Sequence, residues 1–169
     1  MEAAGLKWEI AQVCLVVLDL DETLENYWEK LGIGPWNIRR LNRDICKDYH
    51  FNGEPCEEEF AFDCACCWVG GVELEICYPV TKNNPAYQWL AEHGEGLHHI
   101  KMRFPDEKMG EAITFFGDRG MKILHSGRVD RDVWYYPDTR KDLKINIEIG
   151  NSGRIDLPAR YYPEAAALE

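Results

Sequence analysis

The chain contains 169 residues with a mass of 19.6 kDa, and 46% of the residues are hydrophobic, which predicts a folded domain with a substantial core. Nineteen Lys and Arg residues against thirty Asp and Glu residues give a formal charge of −11, which disfavours binding to nucleic acid or to an anionic membrane surface. No apolar run reaches the roughly 18 residues that a bilayer span requires, and the first residues do not resemble a signal peptide. We therefore expect a cytoplasmic protein with its seven cysteines reduced.

A strand followed by a helix is predicted near the N-terminus. Residues 10–17 are apolar and rich in β-branched side chains, which is typical of a buried strand. Apolar residues then recur at helical spacing over residues 20–31. Asp19 or Asp21 can cap the start of this helix, and Gly32 is expected to end it.

The same order of elements returns in the second half of the chain. Residues 97–120 predict a second strand, a cap and a second helix. Gln12 and His99 are 87 positions apart, and Gly32 and Gly120 are 88 positions apart, so the two units superpose with one inserted residue. We interpret this as an internal repeat.

Strand-like runs follow each strand-helix unit, so the pattern is βαβββ twice. In the first unit they cover residues 60–69 and 72–78, joined by a Gly70-Gly71 turn, and in the second unit residues 121–126, 133–136 and 143–150. The prediction is a single domain over residues 1–163, with module one at 8–80 and module two at 96–151.

Two segments do not follow the repeat. Residues 42–59 show no periodicity and are interpreted as an insertion in module one and a candidate lid. Residues 164–169 end in three alanines, Leu and Glu, and we interpret them as a remnant of an expression vector.

Three cysteines close together suggest a zinc cluster, but their spacing argues against one. Cys64, Cys66 and Cys67 do not form a Cys-x-x-Cys motif, and in a strand residues 66 and 67 face opposite sides. We interpret them as core residues. A two-residue turn at Gly70-Gly71 places Cys66 opposite Glu75, so some of these thiols are candidates to line a pocket.

The two βαβββ modules, the motif Leu97-His98-His99-Ile100 and the run Ile147-Glu148-Ile149 resemble the vicinal oxygen chelate superfamily, which includes glyoxalase I, methylmalonyl-CoA epimerase, extradiol dioxygenases and bleomycin-resistance proteins. Residues 73–100 are most similar to the matching stretch of the epimerases. The resemblance implies an α+β fold in which the two modules form a cupped mixed sheet around a small-molecule site. It also implies a homodimer.

The resemblance also implies a set of four metal ligands. They fall on Gln12, Glu75, His99 and Glu148, which is the ligand combination of the human-type glyoxalase I, whereas the epimerases have histidine at the first position. This set suits one divalent ion, Zn²⁺, Ni²⁺, Co²⁺, Mn²⁺ or Fe²⁺. Extradiol dioxygenases use two histidines and one carboxylate on iron, so a single histidine in the set argues against that class.

The expected reaction is proton abstraction next to a metal-bound carbonyl, as in an isomerase or epimerase. Glu148 is expected to act as base as well as ligand. A second acid/base is placed at Glu58 or Glu59 by the epimerase pattern, and Glu59 is our choice. The implied substrate is an acyl-CoA or, for a glyoxalase I-like lyase, the thiol adduct of an oxoaldehyde. A metal-free small-molecule binding protein like the bleomycin-resistance proteins is the alternative from another class.

Overall fold

The computed structural model describes residues 2–3 and 5–164, so residues 165–169 of the predicted vector remnant lie outside the described residues. The strands are β1 (Glu2–Ala3), β2 (Leu6–Lys7), β3 (Glu9–Val16), β4 (Trp36–Asn42), β5 (Lys47–Phe51), β6 (Glu54–Pro55), β7 (Ala61–Val69), β8 (Val72–Pro79), β9 (Gly96–Arg103), β10 (Ile123–Val129), β11 (Asp132–Pro137), β12 (Asn146–Gly150) and β13 (Arg160–Tyr162). The helices are α1 (Leu20–Leu31), α2 (Pro85–His93), α3 (Met109–Gly117) and α4 (Arg140–Leu143), and a 3₁₀ turn at Asp106–Lys108 precedes α3.

One large mixed sheet carries both modules. Within the described residues its strand order is β13-β4-β7-β8-β3-β9-β12-β11-β10-β5-β6. The first strands of the two modules, β3 and β9, are antiparallel neighbours at the centre. In each module the last strand runs parallel to the first, β8 beside β3 and β12 beside β9. The two modules are thus related by a pseudo-twofold axis between β3 and β9.

The first predicted strand and helix form where the sequence places them. Helix α1 begins after Asp19, whose carboxylate accepts a hydrogen bond from the Glu22 backbone N–H, so Asp19 and not Asp21 is the N-cap. The helix ends at Gly32, which adopts the left-handed conformation with φ of 65° that a side chain would disfavour. In module two, α3 ends at Gly117, three residues before the glycine expected from the repeat.

Residues 42–59 differ from the expected irregular lid. Strand β5 pairs with β10 of module two, and the β5–β6 hairpin extends the sheet beyond that strand. Strand β4 (Trp36–Asn42) is the second strand of module one, and the sequence analysis did not predict it. Its seven residues include two arginines and two asparagines, which are not typical of a buried strand. Polar residues at strand positions that face a cavity or an edge remove the apolar alternation on which such predictions depend.

The two faces of the sheet have different partners. Leu20 and Leu24 of α1 pack against Ala65 and Ile76 on one face of module one. Met109, Ala112 and Phe116 of α3 pack in the same way against Ile147 and Ile149 of module two. The neighbouring residues on these strands point to the other face and line a central cavity. None of the helices in the described part of the chain is long and apolar enough to cross a membrane.

The β5 strand is anchored in the core through Tyr49. Its ring is buried and stacks on Phe60 with 3.8 Å between ring centroids. Replacing Tyr49 with alanine should therefore lower the free energy of unfolding by about 3 kcal/mol, measured by denaturant titration. The exposed Lys47 on the same strand provides the control, and Lys47→Ala should have little effect. A loss of less than about 1 kcal/mol for Tyr49→Ala would mean that this segment behaves as a loosely attached lid.

Candidate metal centre

A cavity of about 260 Å³ lies between the two modules and is lined by side chains from most strands of the sheet. Strands β4, β7, β8, β3, β9, β12 and β11 all contribute to its wall, so the sheet curves around it. The wall carries ionisable groups of several kinds, because carboxylates, imidazoles, an ammonium and thiols are all present. The polar residues on strands β3, β8, β9 and β12 are Gln12, Cys14, Glu73, Glu75, Cys77, His98, His99, Lys101 and Glu148.

A β-bulge explains why two consecutive histidines both line the cavity. Cys14 pairs with His99 and Leu15 pairs with Leu97, so His98 has no partner on β3 and the strict alternation of faces is broken. The repeat contains the matching bulge, because Ile10 pairs with Met102 and Gln12 pairs with Lys101. The sequence motif alone did not reveal that both imidazoles face inward.

The structure brings the four predicted ligands together around one atom of His99. The Nε2 atom of His99 lies 3.1 Å from Glu148 Oε2, 3.2 Å from Gln12 Oε1 and 3.6 Å from Glu75 Oε2. The four side chains come from four neighbouring strands, two in each module. The pairing also makes Glu75 and Glu148 equivalent, since Glu75 pairs with Cys14 and Glu148 pairs with Lys101.

The donor types suit a divalent ion, and three of the donors lie near the same atom of His99. Ligand atoms at about 2.1 Å from one ion stand about 3 Å apart when they are adjacent, which is close to the three distances around His99 Nε2. Gln12 is oriented for this role, because its Nε2 donates to Glu73 Oε2 at 2.8 Å and its oxygen faces His99. One imidazole, two carboxylates and an amide oxygen are donors that Mn²⁺, Fe²⁺, Co²⁺, Ni²⁺ and Zn²⁺ accept. That these residues ligate a metal stays a prediction.

Lys101 is an unpredicted member of the site. Its ammonium is buried and lies 3.0 Å from Glu148 Oε1 and 3.4 Å from Asp132 Oδ1. Burial alone would lower the pKa of Lys101, but the carboxylates of Glu148 and Asp132 outweigh this and raise the pKa, so the ammonium is charged. Its position in the sequence could have indicated this role, because in a strand residue 101 faces the same side as residue 99.

Glu148 is held by three partners. The Tyr136 hydroxyl donates to Glu148 Oε2 at 2.6 Å, His99 contacts the same oxygen, and Lys101 contacts Oε1. Burial would raise the pKa of Glu148, but the charge of Lys101 and the contacts with His99 and Tyr136 lower it well below its usual 4.5. Glu148 is therefore a fixed carboxylate in this arrangement.

The pKa of Glu73 is shifted in the opposite direction to that of Glu148. Glu73 lines the cavity beside Gln12, and its carboxylate accepts a hydrogen bond from the Gln12 side chain. Burial, with the nearby charge of Glu75, raises the pKa of Glu73 above 4.5 although Gln12 and Lys101 act against the shift. A carboxyl group with a raised pKa in a cavity is a candidate for proton transfer, which sequence reasoning did not identify.

Glu59, the predicted second acid/base, is not brought to this cluster. It is exposed, precedes β7 and does not line the cavity. Its backbone carbonyl and the Glu58 carboxylate both accept hydrogen bonds from the Asn83 side chain.

The cysteines divide between the two faces of the sheet. Cys66 lies opposite Glu75 and Cys64 opposite Cys77, as a two-residue turn at Gly70-Gly71 predicts. Cys64 and Cys66 line the cavity, whereas Cys67 packs in the core beside α1. All seven cysteines are free thiols in the structure.

The fold and the cluster together define an α+β protein of two βαβββ modules with a candidate metal centre between them. The sequence model of the Glyoxalase/Bleomycin resistance protein/Dioxygenase superfamily matches residues 11–136, and the chain belongs to this superfamily. The family and fold predictions are therefore confirmed. The uncharacterized protein YqjC of Bacillus subtilis (strain 168) is 26% identical over 101 residues, which are 59% of this chain and 71% of YqjC.

Solved structures share the fold at low sequence identity. Hypothetical protein BH1468 from Bacillus halodurans C-125 is 15% identical with a TM-score of 0.66, over 90% of this chain and 99% of BH1468. A Streptomyces coelicolor methylmalonyl-CoA epimerase variant in complex with 2-nitronate-propionyl-CoA is 20% identical with a TM-score of 0.65, over 90% of this chain and 99% of the epimerase. At such identities the likeness shows the fold alone.

The Lys101 ion pair predicts a pH-dependent contribution to stability. In metal-free protein, Lys101→Met should lower the free energy of unfolding by about 3 kcal/mol at neutral pH, because Glu148 and Asp132 lose their buried counter-charge. The folded-state pKa of Glu148 is depressed, so its contribution is present above about 4.5 and is lost as the pH falls through the folded-state pKa. The difference between the two proteins should shrink accordingly below pH 4.5.

Denaturant titration across this pH range measures the effect. Lys108→Met is the matched control, because Lys108 pairs with Glu111 on the surface and should change the stability by less than about 1 kcal/mol. If Lys101→Met lowers the free energy of unfolding by the same amount at pH 3 and at pH 7, the lost stability does not come from the ion pair.

Proposed function

We propose that this protein is a divalent-metal-dependent isomerase or epimerase that moves a proton next to a substrate carbonyl. The observation that carries the proposal is the convergence of Gln12, Glu75 and Glu148 on Nε2 of His99 inside the cavity between the modules. The solved epimerases with the same fold, which include one in complex with methylmalonyl-CoA and NH₄⁺, support an acyl-CoA as the substrate class. The cytoplasmic location and the homodimer remain predictions.

In the proposed reaction, the bound ion and the protein side chains have different roles. A bound divalent ion would polarise the substrate oxygens and stabilise the enediolate that forms when the proton leaves. Gln12, Glu75, His99 and Glu148 would hold the ion. Tyr136 and Lys101 fix the orientation of Glu148 through its two oxygens.

We assign the proton transfer to Glu73 in preference to Glu148. Glu148 is occupied by Lys101, His99 and Tyr136, and these contacts lower its pKa, which makes it a weak base. Glu73 accepts a hydrogen bond from Gln12 and has a raised pKa, so it can take up and return a proton closer to neutral pH. It lies beside Gln12, which places it at the edge of the proposed metal centre.

Metal content tests the site. Protein purified without chelator and supplemented with Mn²⁺ should contain about one ion per chain by elemental analysis. His99→Ala and Glu75→Ala should lose it, because each removes a donor atom of the cluster. Glu58→Ala is the control, since that carboxylate is exposed and hydrogen-bonded to Asn83. Full ion content in both cluster variants would refute the proposed centre.

Solvent-deuterium exchange at the substrate α-carbon tests the reaction and separates the two bases. Metal-loaded protein should exchange this proton in methylmalonyl-CoA or in a glutathione hemithioacetal, followed by NMR. Glu73→Gln should retain the ion and lower exchange by about 100-fold or more, whereas Glu59→Gln should behave as wild type. Exchange retained in Glu73→Gln and lost in metal-loaded Glu148→Gln would assign the base to Glu148.

One observation favours a second function, a metal-free protein that binds a small molecule in this cavity. The buried Lys101 ammonium already pairs with the carboxylates of Glu148 and Asp132, so part of the buried negative charge is compensated without a metal. Absence of bound metal after supplementation, together with absence of exchange, would select this function.

A further inference from the structure

Two buried side chains of the cavity have no role in the proposed reaction, Cys14 and His98. Each offers a ligand atom, and these atoms lie within 4.8 Å of one another and of a ligand atom of His99. All three residues are buried, with 0%, 4% and 2% of their surfaces exposed for Cys14, His98 and His99. The group is distinct from the oxygen-rich set, with which it shares only His99.

The strand pairing holds the three residues together. Cys14 on β3 is the direct partner of His99 on β9, so their side chains leave the sheet on the same side. The bulge turns His98 into the same space, and its Nδ1 lies 2.8 Å from Nδ1 of His99. The arrangement is therefore fixed by backbone register and not by flexible side chains alone.

The surroundings favour a cation at this point. Two imidazole nitrogens 2.8 Å apart repel each other unless a proton or another cation lies between them. Glu75 and Cys77 face Cys14 from β8, and the ring of Tyr136 packs on both histidines from β11.

We propose that Cys14, His98 and His99 form a second donor set, which binds a thiophilic ion of the Zn²⁺ or Cd²⁺ class. A thiolate and two imidazoles are softer donors than the carboxylates and amide of the first set, so the second set favours thiophilic ions more strongly than the first set does. On binding, the Cys14 thiol releases its proton to solvent and the thiolate forms the sulfur–metal bond. Three protein donors leave one position of a tetrahedral ion open, as in catalytic zinc sites.

The same geometry has a simpler explanation that involves no metal. One imidazole can donate a simple hydrogen bond to the other, and Cys14 can be an ordinary core thiol that donates to the Leu15 carbonyl. This explanation predicts that no ultraviolet sulfur-to-metal absorption band forms when a soft ion is added. The proposal predicts a sulfur-to-metal charge-transfer band.

Cadmium titration of the reduced, chelator-treated protein distinguishes the two. Wild-type protein should show an ultraviolet sulfur-to-cadmium band that saturates at about one equivalent. The band should be absent in Cys14→Ser and in Cys14→Ala, and His98→Asn should weaken Cd²⁺ binding by about 10-fold or more. Cys67→Ser, which changes a thiol outside the cavity, should keep the band. Circular dichroism and thermal unfolding confirm which variants are folded.

Other results would overturn the proposal. No band in wild-type protein would refute it. A band that survives in either folded Cys14 variant and disappears in Cys64→Ser would assign the ion to the Cys64–Cys77 thiol pair, whose sulfurs are 3.9 Å apart, and would also refute it. Binding of Mn²⁺, followed by electron paramagnetic resonance, reports on the oxygen-rich set and should be unchanged in Cys14→Ser. If the proposed function is wrong and this inference is right, Mn²⁺ will not bind to the wild-type protein, but the cadmium band will still form.

Discussion

Buried negative charge is the constraint on which the site depends. Glu73, Glu75, Asp132 and Glu148 line one cavity, and Lys101 is the cation that directly contacts two of them. A buried carboxylate without a partner is strongly destabilising, so the others must be compensated by hydrogen bonds, by protonation or by a bound cation. The raised pKa values of Glu73 and Asp132, for which burial is the main cause, show the cost of that charge.

The repeat explains why the charge collects at one point and why the two halves of the site differ. Strands β3 and β9 place Gln12 and His99 in equivalent positions, and β8 and β12 do the same for Glu75 and Glu148. At the next equivalent position one module has Cys14 and the other has Lys101. A symmetric scaffold thus carries a thiol on one side of the proposed centre and an ammonium on the other.

Contacts between the modules hold this arrangement in place. Besides the central β3–β9 pairing, β5 of module one pairs with β10 of module two, and Tyr49 on β5 packs in the core that borders the cavity. Helix α2 connects the modules and contacts β3 and β8. The geometry around His99 therefore depends on both modules, and neither could form the cluster by itself.

The sequence by itself indicated the family, the two-module repeat, helix α1 with its C-terminal glycine, and which four residues to look for at the centre. The repeat and the helix depend on local periodicity, capping chemistry and a repeat offset, all of which are visible along the chain, whereas the family and the four site residues are what the resemblance to a known family implies. Only the tertiary structure decided that Lys101 and Tyr136 hold Glu148, that His98 faces inward, that residues 47–55 extend the sheet and that Glu59 lies outside the cavity. The physical reason is that ion pairs, bulges and edge pairing depend on which distant strands become neighbours, and no local sequence pattern specifies that.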